Sequence, residues 1–304
     1  MLVENFRPDV KFRLNIDYET LKKTNPRLVY ASISGFGQDG PYANRPGFDH
    51  ISQGMGGLMG ITGLPGQGPV RAGIAISDTG SGIYCAMGIL TALLEREVSG
   101  EGQWVQTSLL QSMIAMLDFQ AARWLVAGEI PTQSGNDHPT KTPIGVFPTS
   151  DGHINISAAS DLMWKRLCKA LGADELLTKA EYANGELRTQ HRAACNSDIS
   201  RYTLQQTTRE WMQTFDAGSV PNGPIYKMNE VFSDPQVQHL GMAVKVRQDG
   251  INEVDLVNQP YVLSRTPSEI RTGTPKRGEH TDEVLQTLGY SQAEIIALRK
   301  STAI

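Results

Sequence analysis

The sequence predicts an α/β fold, because strand-forming and helix-forming segments alternate along its first half. Residues 17–25 have the pattern of a short helix, and the β-rich run at 27–34 follows as a buried strand. A strand at 104–108 and a long helix at 109–127 repeat this alternation. The segment 129–143 then interrupts it with prolines and a glycine, which indicates a crossing between two domains.

The first helix has clear boundaries, since Asp17 is a good N-cap and Pro26 prevents continuation beyond Asn25. After the strand comes a glycine-rich loop at 35–47, in which backbone N–H groups can approach a ligand, although a long surface turn is the simpler interpretation. Residues 49–61 have helical spacing but contain several glycines, so we expect a neighbour to pack closely against that helix.

The strongest helix in the sequence is predicted over 79–98. It follows a short apolar, strand-like run at 74–77 and is apolar on nearly all sides. A helix of this kind is expected to be buried. Its last turn is polar and is followed by Gly100, a common helix stop.

The second half of the chain predicts a smaller α+β region and further terminal elements. A hairpin is expected at 146–157, turning at Asp151-Gly152. The helices predicted after it are 162–171, 209–217 and 228–239. Two strands are expected around Asp249-Gly250, followed by a polar crossing at 266–278 and terminal helices.

Composition excludes several classes of function. The 304 residues include 28 Lys and Arg against 32 Asp and Glu, and a net charge of -4 predicts no general attraction to nucleic acid or to an anionic membrane. No apolar run reaches membrane-spanning length, and residues 1–9 carry Glu4 and no apolar core, unlike a signal peptide. Cys85, Cys168 and Cys195 are far apart, which predicts no metal site and a reducing cytoplasm.

Asp78 is the candidate reactive residue, because it lies between the apolar run and the strongest helix. A helix N-terminus offers unpaired N–H groups and a favourable dipole, so a carboxylate there stays ionised and an adjacent oxyanion finds donors. Gly80 and Gly82 would let a bulky ligand approach the backbone. The same position also suits a simple N-cap, and the local pattern leaves both interpretations open.

Four ordered segments resemble the CaiB/BaiF family of class III CoA-transferases, and together they span the whole chain. The segments are Leu2-Val-Glu-Asn-Phe-Arg-Pro8, Asn25-Pro-Arg-Leu-Val-Tyr-Ala-Ser-Ile-Ser-Gly-Phe-Gly-Gln-Asp-Gly-Pro-Tyr42, Ile76-Ser-Asp-Thr-Gly-Ser-Gly82 and Gly278-Glu-His-Thr-Asp-Glu-Val-Leu285. The resemblance implies that CoA is moved from an acyl-CoA donor to a carboxylic acid, with a small dicarboxylate as the expected acid. Coenzyme A is then a co-substrate, and no metal or redox cofactor is implied.

For Asp78 the resemblance implies a nucleophile. Its carboxylate would attack the acyl-CoA to form a mixed anhydride, and the released thiolate would then give an aspartyl-CoA thioester. A carboxylate with a reference pKa of about 3.9 needs no general base at neutral pH. A covalent intermediate also divides one difficult exchange into easier steps.

Family members contact CoA through the Val-Glu-Asn-Phe stretch and a nearby arginine, which transfers to Asn5, Phe6 and Arg13 here. Phe6 would pack against the adenine, and Arg13 would meet a phosphate. Without the resemblance, a solvated surface arginine is the simpler interpretation of Arg13.

The glycine-rich loop is expected to lie beside the pantetheine arm of CoA, through Arg45, Gly47 and Phe48. Relatives carry a mobile covering loop where this chain has Ser134 to Pro139, but the glycine run of formyl-CoA transferase is missing. His138 in that segment is expected to anchor the loop and not to act as an acid or base.

The resemblance also implies the architecture. It predicts a large Rossmann-like CoA-binding domain from residues 1–133 and 227–304, a small α+β domain at 134–226, and an interlocked homodimer. Relatives begin with a strand, a helix and a further strand that this sequence lacks, so part of their CoA site would lie in a segment missing here. That difference leaves a truncated, non-catalytic CoA-binding protein as one alternative.

A second alternative is a 2-methylacyl-CoA racemase of the same fold. Racemases of the family resemble Gly-His-Asp where this chain reads Gly47-Phe48-Asp49. Racemisation needs an acid and a base on opposite faces of the α-carbon, and a phenylalanine cannot carry a proton. The sequence therefore favours the transferase over the racemase.

Overall fold

The structure is a computed structural model that describes all residues except 249 and 251, in two compact units, Met1–Pro224 and Ile225–Ile304. Its strands are β1 (Leu2–Glu4), β2 (Tyr30–Ser34), β3 (Trp104–Ser108), β4 (Ile144–Pro148), β5 (His153–Ser157), β6 (Asn222–Pro224), β7 (Ala243–Gln248) and β8 (Asn252–Val257).

Helices in the first unit are α1 (Pro8–Arg13), α2 (Tyr18–Thr24), α3 (Asp49–Met55), α4 (Leu58–Ile61), α5 (Ile76–Ser99), α6 (Leu109–Ala115), α7 (Phe119–Ala127), α8 (Asp161–Leu171), α9 (Gly185–Gln190), α10 (Arg192–Thr203) and α11 (Thr208–Ala217). Those in the second unit are α12 (Met228–Val231), α13 (Pro235–His239), α14 (Thr281–Thr287) and α15 (Gln292–Lys300).

A three-stranded parallel sheet, in the order β1-β2-β3, organises the first part of the chain. Val29 and Ala31 of the β2 region pack against Cys85, Ile89 and Ala92 on one side of α5. Parallel strands need a crossover between them, and the long segment that contains α5 provides it between β2 and β3. The predicted α/β fold is confirmed.

A second sheet is antiparallel, in the order β4-β5-β6, and has a core of its own. The hairpin predicted at 146–157 is present, with Thr149 N–H donating to Gly152 O at 2.9 Å. Aromatic and aliphatic side chains of α8, α10 and α11 cover the sheet, among them Trp164, Ile199 and Phe215. The two cores are separate from each other within the first unit, and the division of the chain into domains at 133 and 226 stays a prediction.

Three helices predicted as single elements are interrupted. The helix expected at 49–61 divides into α3 and α4 at Gly57, whose φ of +89° lies in the left-handed region. The helix expected at 109–127 divides into α6 and α7 at Asp118, whose φ is +52°. The segment 228–239 divides before Pro235, where Asp234 caps the new helix. Apolar spacing continues across each break, so periodicity could not reveal it.

Two predictions about α5 were wrong. The run 74–77 is not a strand, because α5 begins at Ile76 and Ala75 is its N-cap. The helix is also not buried on all sides, although it is covered where it faces the β2 region, β3 and α6. The opposite face carries exposed apolar side chains, which are Ile83, Met87, Leu90 and Leu94.

Some short elements gave no signal in the sequence. Strand β1 has only three residues, too few for an alternating pattern, yet it pairs in parallel with β2 from Leu2 to Glu4. The two strands expected on either side of Asp249-Gly250 are present as β7 and β8, which pair antiparallel, while Asp249 itself lies outside the described residues. None of the helices described is both long and apolar enough to cross a membrane.

Candidate active site

A cavity of about 460 Å³ lies at the carboxyl ends of the three parallel strands. Asn5 follows β1, Gly35 follows β2 and Leu109 follows β3. Ligands of open α/β sheets bind at this edge. The residues that line the cavity are Asn5, Ile33, Ser34, Gly35, Gly47, Phe48, Asp78 and Leu109.

The lining of the cavity includes a contact between two glycine backbones. A Cβ atom at Gly35 would lie 2.7 Å from the Gly47 Cα, and one at Gly47 would lie 2.6 Å from the Gly35 Cα. Real Cβ atoms do not approach other atoms so closely, so only glycine fits at either position. This contact brings both ends of the glycine-rich loop to the cavity.

Asp78 is the third residue of α5 and is exposed at the cavity. The interpretation of Asp78 as an N-cap is wrong, because the N-cap residue of α5 is Ala75. The side chain of Ala75 makes no capping hydrogen bond. Among the described residues, no side-chain or backbone group donates a hydrogen bond to the Asp78 carboxylate. Its oxygens therefore face the cavity without an internal partner.

Asp49 performs the capping that was considered for Asp78, although it lies on another helix. Its Oδ1 accepts hydrogen bonds from the Ser77 N–H and the Ser77 Oγ, both at 2.9 Å. Its Oδ2 accepts from Gln53 Nε2 at 2.7 Å. The fully buried Gln53 also donates to Ile74 O and accepts from the Ala72 N–H, so the network fixes the approach to α5.

The two carboxylates have opposite pKa shifts. Burial acts to raise the pKa of Asp49, but hydrogen bonds from Ser77, Gln53 and the Asp78 N–H outweigh it and lower that pKa. Removal of the Asp78 carboxylate from water, and secondly the negative charge of Asp49, raise the pKa of Asp78. Asp49 is thus stabilised as a structural anion, and Asp78 is the less stabilised carboxylate.

The expected oxyanion donors at the N-terminus of α5 are not free. The Ile76 N–H donates to Ile74 O and the Thr79 N–H to Ala75 O, each at 3.0 Å. The Ser77 N–H donates to Asp49 Oδ1 at 2.9 Å, and the Asp78 N–H lies close enough to that carboxylate to contribute to its lowered pKa. The sequence argument was wrong on this point, because it could not show that a residue far along the chain would occupy these donors.

Four of the predicted site residues come together in the cavity: Asn5, Gly47, Phe48 and Asp78. They come from three separate segments, which the parallel sheet and the glycine contact bring to one edge. Phe48 is 72% exposed, so its ring is available to a ligand.

Phe6, Arg13 and Arg45 lie outside the lining of this cavity, although all three are in the described part of the chain. Phe6 is 43% exposed, and Arg13 ends α1 at the surface. The Arg45 guanidinium lies 4.5 Å from the Tyr42 ring centroid, within its own loop. The contacts predicted for these three residues therefore stay predictions.

His138 anchors its segment, as expected. Its ring stacks on Phe119, with a centroid distance of 5.3 Å and an interplanar angle of 8°. Its Nδ1 accepts a hydrogen bond from the Thr140 N–H at 3.2 Å. Burial, and then the positive charges of Lys141 and Arg192, lower the pKa of His138, so the ring is neutral in this role.

Sequence reasoning missed Asp49, although it considered Gly47-Phe48-Asp49 for the residue at position 48. The available signal was the carboxylate beside a predicted ligand loop, but its contact with Ser77 joins residues 28 positions apart. Within the residues described, no group of three or more His, Cys, Asp or Glu side chains could hold a metal ion.

Comparison with known proteins decides the family. The family model described as CoA-transferase family III matches residues 1–281. The chain belongs to the family III CoA-transferases. A CaiB/BaiF family protein from Brucella suis has the same fold, with a TM-score of 0.82 and 34% identity over 94% of this chain and 75% of its own.

Two curated members of family III extend this relationship. A succinate–glutarate CoA-transferase from Agrobacterium fabrum is 38% identical over 95% of this chain and 72% of its own length. A succinyl-CoA–D-citramalate CoA-transferase from Chloroflexus aurantiacus is 33% identical over 100% of this chain and 76% of its own.

Proposed function

We propose that the protein transfers CoA from an acyl-CoA to a small dicarboxylic acid through a covalent intermediate on Asp78. The observation that carries this proposal is the cavity at the carboxyl edge of the parallel sheet. Asp78 lies there beside Asn5, Gly47 and Phe48, and none of the described residues donates a hydrogen bond to its carboxylate.

The reaction would proceed in two halves. An Asp78 oxygen attacks the thioester carbonyl carbon, the C–S bond breaks, and CoA leaves as a thiolate. The thiolate then attacks the Asp78 carbonyl carbon of the mixed anhydride, which releases the donor acid as a carboxylate and leaves an aspartyl-CoA thioester. The acceptor carboxylate repeats these steps in reverse, so atoms and charge balance without a metal or a redox step.

Asp78 suits this role better than Asp49. The Asp49 oxygens are occupied by donors from Ser77 and Gln53, and these hydrogen bonds make its carboxylate a weaker nucleophile. Partial burial and the neighbouring charge raise the pKa of Asp78, which increases the nucleophilicity of its ionised form.

For the CoA molecule, we propose that Asn5 contacts the thioester end, where it lines the cavity. Phe6 and Arg13, on the segment that leads away from it, would meet the adenine and a phosphate. Gly47 and Phe48 would lie along the pantetheine arm. Arg45 would complete that wall if its guanidinium turns away from Tyr42.

The substrate class follows from the relatives. Succinate and glutarate are named for the Agrobacterium fabrum relative, and D-citramalate for the Chloroflexus aurantiacus relative. All three are small dicarboxylic acids, so we propose that the acceptor here is of the same class.

The proposal includes an interlocked homodimer in the cytoplasm. The apolar stripe of α5 supports a protein partner, because Ile83, Met87, Leu90 and Leu94 are each more than half exposed in the single chain. A second copy is the occupant that the family relationship favours. Cys85, Cys168 and Cys195 are all free and buried, which suits a reducing compartment.

A transfer assay tests the proposed activity. Wild-type protein should convert succinyl-CoA and glutarate to glutaryl-CoA and succinate, and Asp78→Asn should lower kcat by about a thousandfold or more, because the covalent route is lost. Glu95→Gln, a carboxylate-to-amide change near the other end of α5, is the matched control and should be active. Comparable activity of wild type and Asp78→Asn would refute the role of Asp78.

A further inference from the structure

Lys11 is a buried cation that the reaction itself does not use. It is 1% exposed, and burial lowers its pKa against the opposing effect of Glu4. Its Nζ lies 3.5 Å from Glu4 Oε1 and 4.5 Å from the ring centroid of Trp104. Its Nζ also donates a hydrogen bond to Gln38 Oε1. Burying an ammonium group is costly, so a lysine in this place calls for an explanation.

Glu4 connects this cation to one wall of the cavity. It is 5% exposed, and its Oε2 accepts a hydrogen bond from the Phe6 N–H at 2.8 Å. Asn5 lies between these two residues and lines the cavity. Glu4 therefore fixes the backbone on both sides of Asn5 through the hydrogen bond to its Oε2, while its Oε1 lies beside the Lys11 ammonium group.

Gln38 connects the same cation to a second segment that lines the cavity. It belongs to the glycine-rich loop, whose Gly47 packs on Gly35 and lines the cavity. Among the described residues, the Gln38 Nε2 has no hydrogen-bond partner, so the side chain is held through its oxygen by Lys11. One ammonium group thus joins the exit of β1 to the glycine-rich loop.

We propose that Lys11 is a positioning residue for CoA binding, which acts through Glu4 and Gln38 to hold the segments of Asn5 and Gly47 in the lining of the cavity. This inference rests on the proposed function, because it takes the cavity to be the CoA site. Lys11 does not touch the substrate. Its loss should weaken the binding of CoA and leave the chemistry at Asp78 almost unchanged.

A stabilising ion pair without a binding role is the competing explanation, and a double variant separates the two. Lys11→Met alone leaves the Glu4 carboxylate buried and unpaired, which destabilises the fold. Lys11→Met with Glu4→Gln removes both charges, so stability should largely return. The Gln38 contact stays lost in the double variant, so CoA affinity should not return if Lys11 positions the glycine-rich loop.

The experiment measures the Kd of free coenzyme A by titration calorimetry, the melting temperature, and kcat at saturating acyl-CoA. We expect Lys11→Met and the double variant to bind CoA about tenfold more weakly, with kcat within about threefold of wild type. Glu4→Gln should weaken binding by about threefold, because its amide oxygen still accepts from the Phe6 N–H. Lys23→Met, at an exposed lysine, is the control and should bind as wild type does.

Wild-type affinity in a folded double variant would overturn the inference. If both variants at Lys11 fail to fold, Glu4→Gln decides the question, and unchanged affinity in that variant overturns the inference. If the wild-type protein binds CoA but does not transfer it, the proposed function is refuted. The ratio of the Kd values of variant and wild type would still test the role of Lys11 in that case. A wild-type protein that does not bind CoA overturns the inference itself.

Discussion

At the scale of single residues, the neighbouring carboxylates of Asp49 and Asp78 differ in their hydrogen bonds and therefore in their proposed roles. Asp49 has its oxygens filled by Ser77 and Gln53, and it caps α5. Asp78 has no internal partner among the described residues and carries the raised pKa. Sequence alone placed Asp78 near a helix N-terminus, but it could not assign the cap, because that depends on a contact across 28 positions of the chain.

Removing the charge of Asp49 should shift the pH dependence of transfer. Only ionised Asp78 is a nucleophile, so kcat/KM falls as pH drops through the raised pKa of Asp78. Asp49→Asn removes the second cause of that raised pKa, so the acid limb should move to lower pH. Loss of capping strength should also lower the free energy of unfolding by about 1 kcal/mol at neutral pH.

The measurement is a pH profile of kcat/KM for the wild type and Asp49→Asn, with Glu101→Gln, at an exposed carboxylate outside the proposed site, as the control. The stability difference between wild type and Asp49→Asn should also depend on pH. Asp49 has a lowered pKa in the folded state, so its contribution is present above the unfolded pKa and disappears as pH falls. An acid limb that stays in place or moves to higher pH would contradict the electrostatic coupling.

At the scale of elements, α5 has two faces with different partners. Cys85, Ile89 and Ala92 are buried against the β2 region, while the opposite stripe is exposed. The sequence predicted a buried helix, and in the single chain this prediction is wrong for one face of α5. An apolar pattern shows which faces of a helix avoid water, but it does not show whether the same chain or another chain covers them. The two faces also explain why α5 is apolar on nearly all sides.

A charge in the exposed stripe should therefore disrupt assembly and not the fold. We expect the wild type to sediment as a dimer, and Leu90→Glu to shift it to a monomer with an unchanged helical circular dichroism spectrum. Leu90 is 61% exposed in the single chain, so a glutamate there faces water unless a second copy covers it. Leu204→Glu, at a 51% exposed leucine elsewhere, is the control. A dimer that persists in Leu90→Glu would place the interface elsewhere.

At the scale of the whole molecule, the alternation of strands and helices was enough to predict the α/β fold. Asp78 and the glycine-rich loop were also singled out from sequence, because a helix start and a glycine cluster are local signals, but the role of Asp78 as a nucleophile came from the family resemblance. The contact of Gly35 with Gly47, and the buried Lys11 beside Glu4 and Gln38, depend on tertiary packing. No local pattern could have predicted them.

The central claim is that Asp78 forms a covalent intermediate with CoA, and trapping that intermediate tests it most directly. Wild-type protein incubated with succinyl-CoA and then with hydroxylamine should release CoA and carry a hydroxamate on Asp78, which peptide mass spectrometry locates. Asp78→Asn should remain unlabelled. A label on another residue would contradict the account, and so would an unlabelled wild type that instead exchanges the α-proton of a 2-methylacyl-CoA in deuterated water.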